Sequence, residues 1–518
     1  MRYCLAIDLG TGALKVGLVG EDGSLLAHLS SPIESHYRSD IKEATQDPNI
    51  WWLKIIDLTK AILEANPISR QIVAVGVTGQ WASTVPVDED ARPTGDCLLW
   101  LDERGERFSK EVVGGRVMGY NASAALRFIR KSGGAPSRFG ADPIGHIRFI
   151  EDQQLEVAKR SRWYLEPVDY ITMRLTGVAS ATHASMTASW LTDNRYLDRM
   201  AYDNELVGIA KVPASKLPPL RRVGEVISTI LPKVAFELGL SPDVQVVTGV
   251  PDLHSGALGS DTVEEGSVHL CLSTTSWIST VRRTKKTDIL HSIATVPGVF
   301  EGEYLVANNH ETAGECLDWL STNVIPPTNP STDSATWFEE LNRMALGAAP
   351  GSGGLIFTPW LAGERSPVDD KTLRSSWIGL TLSTRREEMV RSLFEGVALS
   401  NRWLFDPFRK FVVGTKVEKV AMFGGGATSA LWCALHAAAL EVSVEVISDP
   451  TFVNLKGAGY LGLIGVGLVN RSDLHNLVEV GSVYEPDSIL VDVARRSYPI
   501  FAKSYPATRR ISKALAAL

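Results

Sequence analysis

The chain opens on a short, unbroken apolar run, Tyr3-Cys-Leu-Ala-Ile7, that ends in Asp8. A continuous run of that length suits a strand buried on both faces. Gly10-Thr11-Gly12 follows, then a second β-rich run that closes on Asp22-Gly23. Asp-Gly between two such runs predicts a hairpin. Similar buried runs recur at 72–77, 244–250, 268–272 and 420–423, and each leads into glycines, hydroxyls or an acid. The stretch 266–281 repeats the opening layout of strand, hydroxyl-rich turn and strand, which is an internal repeat of arrangement rather than of residues. Two half-molecules, each opening on a phosphate-facing hairpin, would place a nucleotide between them.

Helical spacing is clearest in Ile55, Ile56, Leu58, Ile62 and Leu63, behind an Asp47-Pro48 start and before Pro67. Trp51 and Trp52 read as core anchors of that helix. Further helices are predicted around 147–158, at 166–177 with Gly177 as its cap, at 231–238, and from Asp252 to Gly259. Another follows Thr384, with Glu387 completing a capping box. The last ones lie after 424–429, over the small residues 455–462, and over a basic amphipathic tail at 495–510. The stretches 133–145 and 357–367 read as loops, 181–197 as irregular, and 378–381 as extended.

Composition narrows the classes. The 518 residues are 44% hydrophobic and 21% charged, with a net charge of −7. That length allows two or more sizeable cores. No basic stripe is present, which excludes sequence-nonspecific nucleic-acid binding. The five cysteines, Cys4, Cys97, Cys271, Cys316 and Cys433, are scattered without zinc or Cys-x-x-Cys spacing. A reducing cytosol is the expected setting. The chain starts directly on a strand rather than a signal peptide, and the apolar stretch 457–469 is too short and glycine-rich to span a bilayer.

Candidate chemistry gathers at strand ends. Asp8 is placed to hold Mg²⁺ through water. Gly10 and Gly12 permit close backbone approach to an anion, and Thr11 and Lys15 add a hydroxyl and a cation. The alternative is a structural hairpin that happens to carry an acid. The spacing of a Walker A loop is absent. At the end of the 72–77 run, Gln80 can bond hydroxyls and Trp81 can stack on a sugar's C–H face, or the indole is simply buried beside a turn. Asp102 and Arg104 can clamp hydroxyls or form a structural ion pair. Asp252 is a general base or a helix N-cap, and the helix dipole favours its carboxylate form. His254 reads as a packing residue. Three glycines at 424–426 permit close backbone approach to a nucleotide.

Taken together, Asp8-Leu-Gly-Thr11, Gln46-Asp-Pro48 with Trp51-Trp52, Asp169-Tyr-Ile171 with Arg174-Leu-Thr-Gly177, and Gly249 to Asp252 resemble the FGGY carbohydrate kinase family, most closely its xylulokinase branch. Gly363-Glu-Arg-Ser-Pro367, Gly379-Leu-Thr381, Glu395-Gly-Val397, Gly424-Gly-Gly426 and Ser504-Tyr-Pro506 extend the resemblance over nearly the whole chain. It implies an α/β, two-domain actin-like ATPase (ribonuclease H-like) fold with a central cleft. An N-terminal sugar-binding and phosphate domain would span 1–250 and a C-terminal nucleotide-binding domain 251–518.

The activity implied is transfer of the γ-phosphate of ATP to a terminal hydroxyl of a ketopentose such as D-xylulose. Alternatives are another polyol, ketose or sugar acid, or an actin-like nucleotide-binding protein without kinase activity. By resemblance, Asp252 is the catalytic base, and Gln80, Trp81, Asp102 and Asp252 meet the sugar. Asp8 organises Mg²⁺. Thr11, Gly12, Lys15, Ser273, Thr274, Thr275, Gly424, Gly425, Gly426 and Ala427 meet ATP, and Gly457-Ala458 line the adenosine loop. The implied partners are a small sugar or polyol, with neither nucleic acid nor membrane and with a homodimer left open. The chain departs from xylulokinases where Met-His is replaced by Trp81-Ala82, where Gly-Gly-Asp reads Val250-Pro251-Asp252, where Gly-Thr-Ser-Gly reads Ser273-Thr274-Thr275-Ser276, and where Lys and Trp read His146 and Phe149.

Overall fold

The computed structural model describes residues 1–518 except 118, 330 and 413–415, and at 117 the backbone alone. Its frame is two seven-stranded sheets. In the first, the leading strand Tyr3–Leu9 pairs antiparallel with Ala13–Gly20, which pairs antiparallel with Leu25–Pro32. On its other side lie Ile72–Gly79 and then Gln245–Val247, both parallel, and the antiparallel edge Val226–Thr229. Val250–Pro251 continues alongside Ile72–Gly79. The second sheet repeats this order: Val268–Leu272 leads, with Ser276–Arg282 and Tyr304–His310 antiparallel on one side. Lys419–Phe423 and Ser443–Ile447 lie parallel on the other, with Val480–Tyr484 as the antiparallel edge. Ala294–Pro297 is an added strand. The repeat seen in the sequence layout is therefore a repeat of topology. Central strands such as Tyr3–Leu9 and Val268–Leu272 are buried throughout, which is why they read as unbroken apolar runs.

The helix Pro48–Ala65 starts as its sequence predicts, with Asp47 accepting from the Asn49 amide at 2.9 Å, and buries Trp51, Trp52, Ile55 and Ile62. A lobe from residues 106–217 has its own apolar cluster, including Phe128, Ile147, Tyr164 and Leu206. It reaches the second half through Lys285 Nζ, which donates to the carbonyls of Ile129 (2.9 Å) and Arg130 (3.0 Å). Thr287 donates to the Gly133 carbonyl at 2.9 Å, and the Tyr304 hydroxyl to the Asn194 carbonyl at 2.7 Å.

One segment crosses between the halves. The helix Val453–Gly465, late in the chain, packs on the first sheet and on helix Asp252–Gly259. Small residues make this approach: a Cβ on Gly76 would strike the Ala458 carbonyl, one on Gly459 would strike Val19, and one on Gly457 would strike the Ser255 carbonyl. Gly457-Ala458 thus form part of the junction between the halves.

Several local expectations shift. A helix begins at Pro143 within the expected loop, with the Asp142 carboxylate accepting from the Gly145 amide, and breaks at Gln154 before a second helix, Leu155–Arg160. The irregular stretch 181–197 contains a short helix, His183–Met186, boxed by Thr182 and Ser185. The capping box at 384–387 lies one residue later: Arg385 precedes helix Arg386–Phe411, and Glu388 accepts its amide at 2.9 Å. The Thr384 hydroxyl instead accepts from the Thr381 amide. The basic tail is helix Ser488–Leu515, anchored by Phe501, which is fully buried among Trp360, Trp403 and neighbours.

Candidate active site

Register brings the acids together. Asp8 lies opposite Lys15 in the hairpin and beside Thr78 in the parallel ladder. Val250 and Pro251 pair with Thr78 and Gly79, so Asp252 emerges beside the carboxyl ends of the same strands. That is where open α/β sheets expose ligand sites. Lys15 Nζ sits 3.3 Å from Asp8 Oδ2 and donates to the Thr451 carbonyl at 3.1 Å, tying the hairpin to the second half. Asp252 is the first residue of its helix rather than the N-cap, a position held by Pro251. Its Oδ1 accepts from the Leu253 amide at 2.8 Å. The Ser255 hydroxyl accepts from Thr78 at 2.8 Å, fixing that helix to the strand end.

Burial first, and then the facing Asp8 charge, push the Asp252 carboxyl up to about 7, against the Leu253 amide, which pulls it down. Asp8, with Lys15 as the cation beside it, suits Mg²⁺, which commonly takes one or two carboxylates and fills its shell with water and substrate phosphates. Among the described residues, no set of three or more His, Cys, Asp or Glu side chains forms a self-sufficient metal cage. The residues present therefore fit a cation shared with a nucleotide, with Asp8 as its protein side.

Three backbone turns carry the residues expected to meet a nucleotide. Gly12, at the first hairpin tip, is exposed, and a Cβ there would meet no atom within 4 Å. In the second hairpin the Ser273 amide donates to the Thr275 carbonyl at 2.9 Å. The carbonyls of Ser273 and Thr274 receive the Gly314 and Ala313 amides, which anchors the turn and leaves Thr274 exposed. Gly424, at φ +97°, packs against the Leu272 carbonyl, so only glycine fits there. A Cβ on Gly426 would strike Leu272, whereas Gly425 faces open space before Ala427. The Gly424–Ala427 turn and the second hairpin are therefore in direct contact.

Around Gln80, expected to meet a sugar, the Thr11 hydroxyl donates to Gln80 Oε1 at 3.3 Å and accepts from Trp100 Nε1 at 3.2 Å. Gln80 Nε2 donates to Gln46 Oε1 at 3.1 Å, which also accepts Trp51 Nε1, and Gln46 Nε2 donates to the Thr11 carbonyl at 2.8 Å. Thr11, expected among ATP contacts, therefore has its hydroxyl joined to the sugar-side residues. Gln46 and Trp100 complete the network and are not among the site residues expected from sequence, although Gln46 opens the Gln46-Asp-Pro48 motif. The Trp81 indole donates to the Ser185 carbonyl at 2.7 Å and meets His254 edge-on at 5.9 Å. His254 itself is bonded to the Pro297 carbonyl, as a packing residue.

Asp102 requires correction as a sugar contact. It is fully buried, and its oxygens accept from the Ala44 amide, the Arg104 amide and the Arg104 guanidinium at 2.7–3.1 Å. Arg104 also pairs with Glu43 at 2.6 Å. Asp102 thus offers no free oxygen to a ligand and acts as the anchor of Arg104. A cavity of about 860 Å³ between residues 286–291 and the last helix lies apart from all these residues.

No helix among the described residues is long and apolar enough to cross a membrane. Two family descriptions match the chain: the N-terminal domain of the FGGY family of carbohydrate kinases over residues 3–259, and the C-terminal domain of that family over 271–465. The gluconokinase of Bacillus subtilis is 26% identical over 492 residues, spanning 93% of this chain and 91% of that protein. A xylulose kinase of Staphylococcus epidermidis is 24% identical over 514 residues, spanning 98% and 97%. Among solved structures, the ligand-bound xylulose kinase from Lactobacillus acidophilus has a TM-score of 0.84 at 21% identity, with 98% of each chain covered. Plasmodium falciparum glycerol kinase with ADP has a TM-score of 0.81 at 17% identity, again covering 98% of each. These structural likenesses concern the two-domain α/β fold. With both of its domains matched, the chain belongs to the FGGY family of carbohydrate kinases.

Proposed function

We propose that the chain transfers the γ-phosphate of ATP to a terminal hydroxyl of a neutral sugar, a ketopentose such as D-xylulose. The observation that carries this reading is the placement of Asp252 beside Asp8 at adjoining strand ends. In the reaction, Asp252 accepts the proton of the attacking hydroxyl, that oxygen bonds the γ-phosphorus, and the bond to the bridging oxygen of ADP breaks. Mg²⁺, when bound, supplies charge neutralisation at the phosphates. The protein's own share is positioning: Lys15 beside Asp8, and Gln80 held by Thr11 and Gln46.

A sugar acid is the competing reading, favoured by the similarity to a gluconokinase. Against it, the side chains joined around Gln80, namely Thr11, Gln46 and Trp100, are neutral hydrogen-bonding groups suited to hydroxyls. The test is sugar-stimulated ADP release across ketopentoses, pentitols, tetritols and aldonates. The highest kcat/KM is expected with a ketopentose. An aldonate preferred tenfold or more, or ADP release that no sugar stimulates, would overturn the reading.

The raised Asp252 group also gives a pH signature. A base must be deprotonated, so kcat/KM should stand on a plateau above about pH 7 and fall roughly tenfold per unit below it. A profile flat to pH 5.5 would remove Asp252 from that role.

A further inference from the structure

The loop that carries Gln80 and Trp81 is strained and is held from behind. Ala82 sits at φ +61°, in the left-handed region that L-residues with a Cβ avoid. Directly beneath lies Glu166, which is 2% exposed. Its Oε2 accepts from the Ser83 amide at 3.1 Å, and the Ala82 amide stands against the same carboxyl group. Its other oxygen has no partner. Nothing in the phosphoryl-transfer step uses this acid, and a carboxyl group that is only partly hydrogen-bonded is costly to keep from water. Burial first, and then the nearby Asp169, push its carboxyl well above the usual range, against the Ser83 amide, which pulls it down.

Two further contacts fix the same loop. Trp81 is tied at its indole to Ser185, and the Ser83 hydroxyl accepts from the Trp100 amide at 3.1 Å. Trp100 in turn donates to Thr11. The conformation of residues 81–83 therefore sets where Trp81 lies and how Gln80, Trp100 and Thr11 meet.

We propose that Glu166 is a positioning residue for the sugar site: by holding the Ser83 amide it keeps Ala82 in its left-handed conformation and so fixes Gln80 and Trp81 for substrate. This assignment rests on the sugar-kinase reading above.

The test uses the full chain with the best substrate of the screen. Glu166→Leu should raise the sugar KM on the order of tenfold while leaving the ATP KM within about twofold, because only loop placement is lost. Glu166→Gln, which keeps an acceptor for Ser83, should restore most of that loss. Ala82→Gly in the Glu166→Leu background should restore part of it, since glycine carries no penalty at that φ. Amide exchange of residues 80–84 should quicken in Glu166→Leu and return toward the parent in Glu166→Gln.

The exchange readout needs no substrate. Faster exchange in a chain for which no sugar is found would uphold the loop assignment while the substrate reading falls. If Glu166→Leu does not fold, Glu166→Asp, which is one methylene too short to reach Ser83, is read the same way. Unchanged sugar KM and unchanged exchange in a folded variant would overturn the proposal. So would equal losses in sugar and ATP parameters, which mark a merely structural acid.

Discussion

Replacement of Asp252 by alanine is expected to lower kcat by about 10²–10⁴-fold, the usual cost of losing a positioned general base. The size of the effect follows from the lack of a substitute. His254, two residues on, is fully buried, donates from Nε2 to the Pro297 carbonyl, and has its protonation pushed down to about 4 by burial. Asp8, the other acid at the strand ends, is held at 3.3 Å by Lys15 on the phosphate side. Each is thus committed to a partner of its own. Asparagine at the same position should lose as much, because the amide keeps the shape but cannot take the proton. ATP binding, measured by calorimetry, should survive in both variants, since the turns at Ser273–Thr275 and Gly424–Ala427 are built without Asp252. Removal of the Asp252 charge relieves its repulsion with Asp8, so a modest gain in nucleotide affinity is compatible with the assignment. A kcat within tenfold of the parent in either variant would exclude Asp252 as the base.

What the sequence declared and what it concealed divide along range of interaction. The two hairpins, the Asp47 cap and the glycine turn at 424 were legible because each depends on a few adjacent residues. Gly424 must be glycine for reasons of φ and of the Leu272 carbonyl behind it, and a three-glycine run advertises that. The role of Asp102 was not legible, because the same Asp-x-Arg pair serves as a clamp or as an ion pair. Its partners Ala44 and Glu43, some 60 residues upstream, decide the outcome. Gln46 and Trp100 were passed over for the same reason. Their bonds to Thr11 span 35 and 89 positions. Small residues at 455–462 announced tight packing, yet nothing local named the partner. Only the assembled sheets bring this helix against strands from the other end of the chain.

That helix carries the largest expected effect on stability. Gly457→Ala would set a Cβ against the Ser255 carbonyl, well inside contact distance, with the Gly259 amide also close at 3.0 Å. Both obstacles are backbone, so no side-chain rotation relieves the overlap, and helices Val453–Gly465 and Asp252–Gly259 must separate. Overpacking in cores commonly costs ~1–3 kcal/mol and occasionally more, and a backbone-on-backbone clash belongs at or beyond the top of that range. A fall in apparent Tm of roughly 3–6 °C is expected. Gly208→Ala is the matched control: a Cβ there meets nothing within 4 Å inside helix Asn204–Ala210, so the change should be neutral or stabilise by roughly 0.5–1 kcal/mol. The two substitutions add the same single carbon, and only the junction should register it. Because helix Asp252–Gly259 begins with the proposed base, any Gly457→Ala protein that folds should also lose kcat, as the forced separation moves Asp252 away from Asp8. Retention of both Tm and kcat would mean that the two halves are not locked through this helix pair, and that Asp252 takes its position from strand Val250–Pro251 alone.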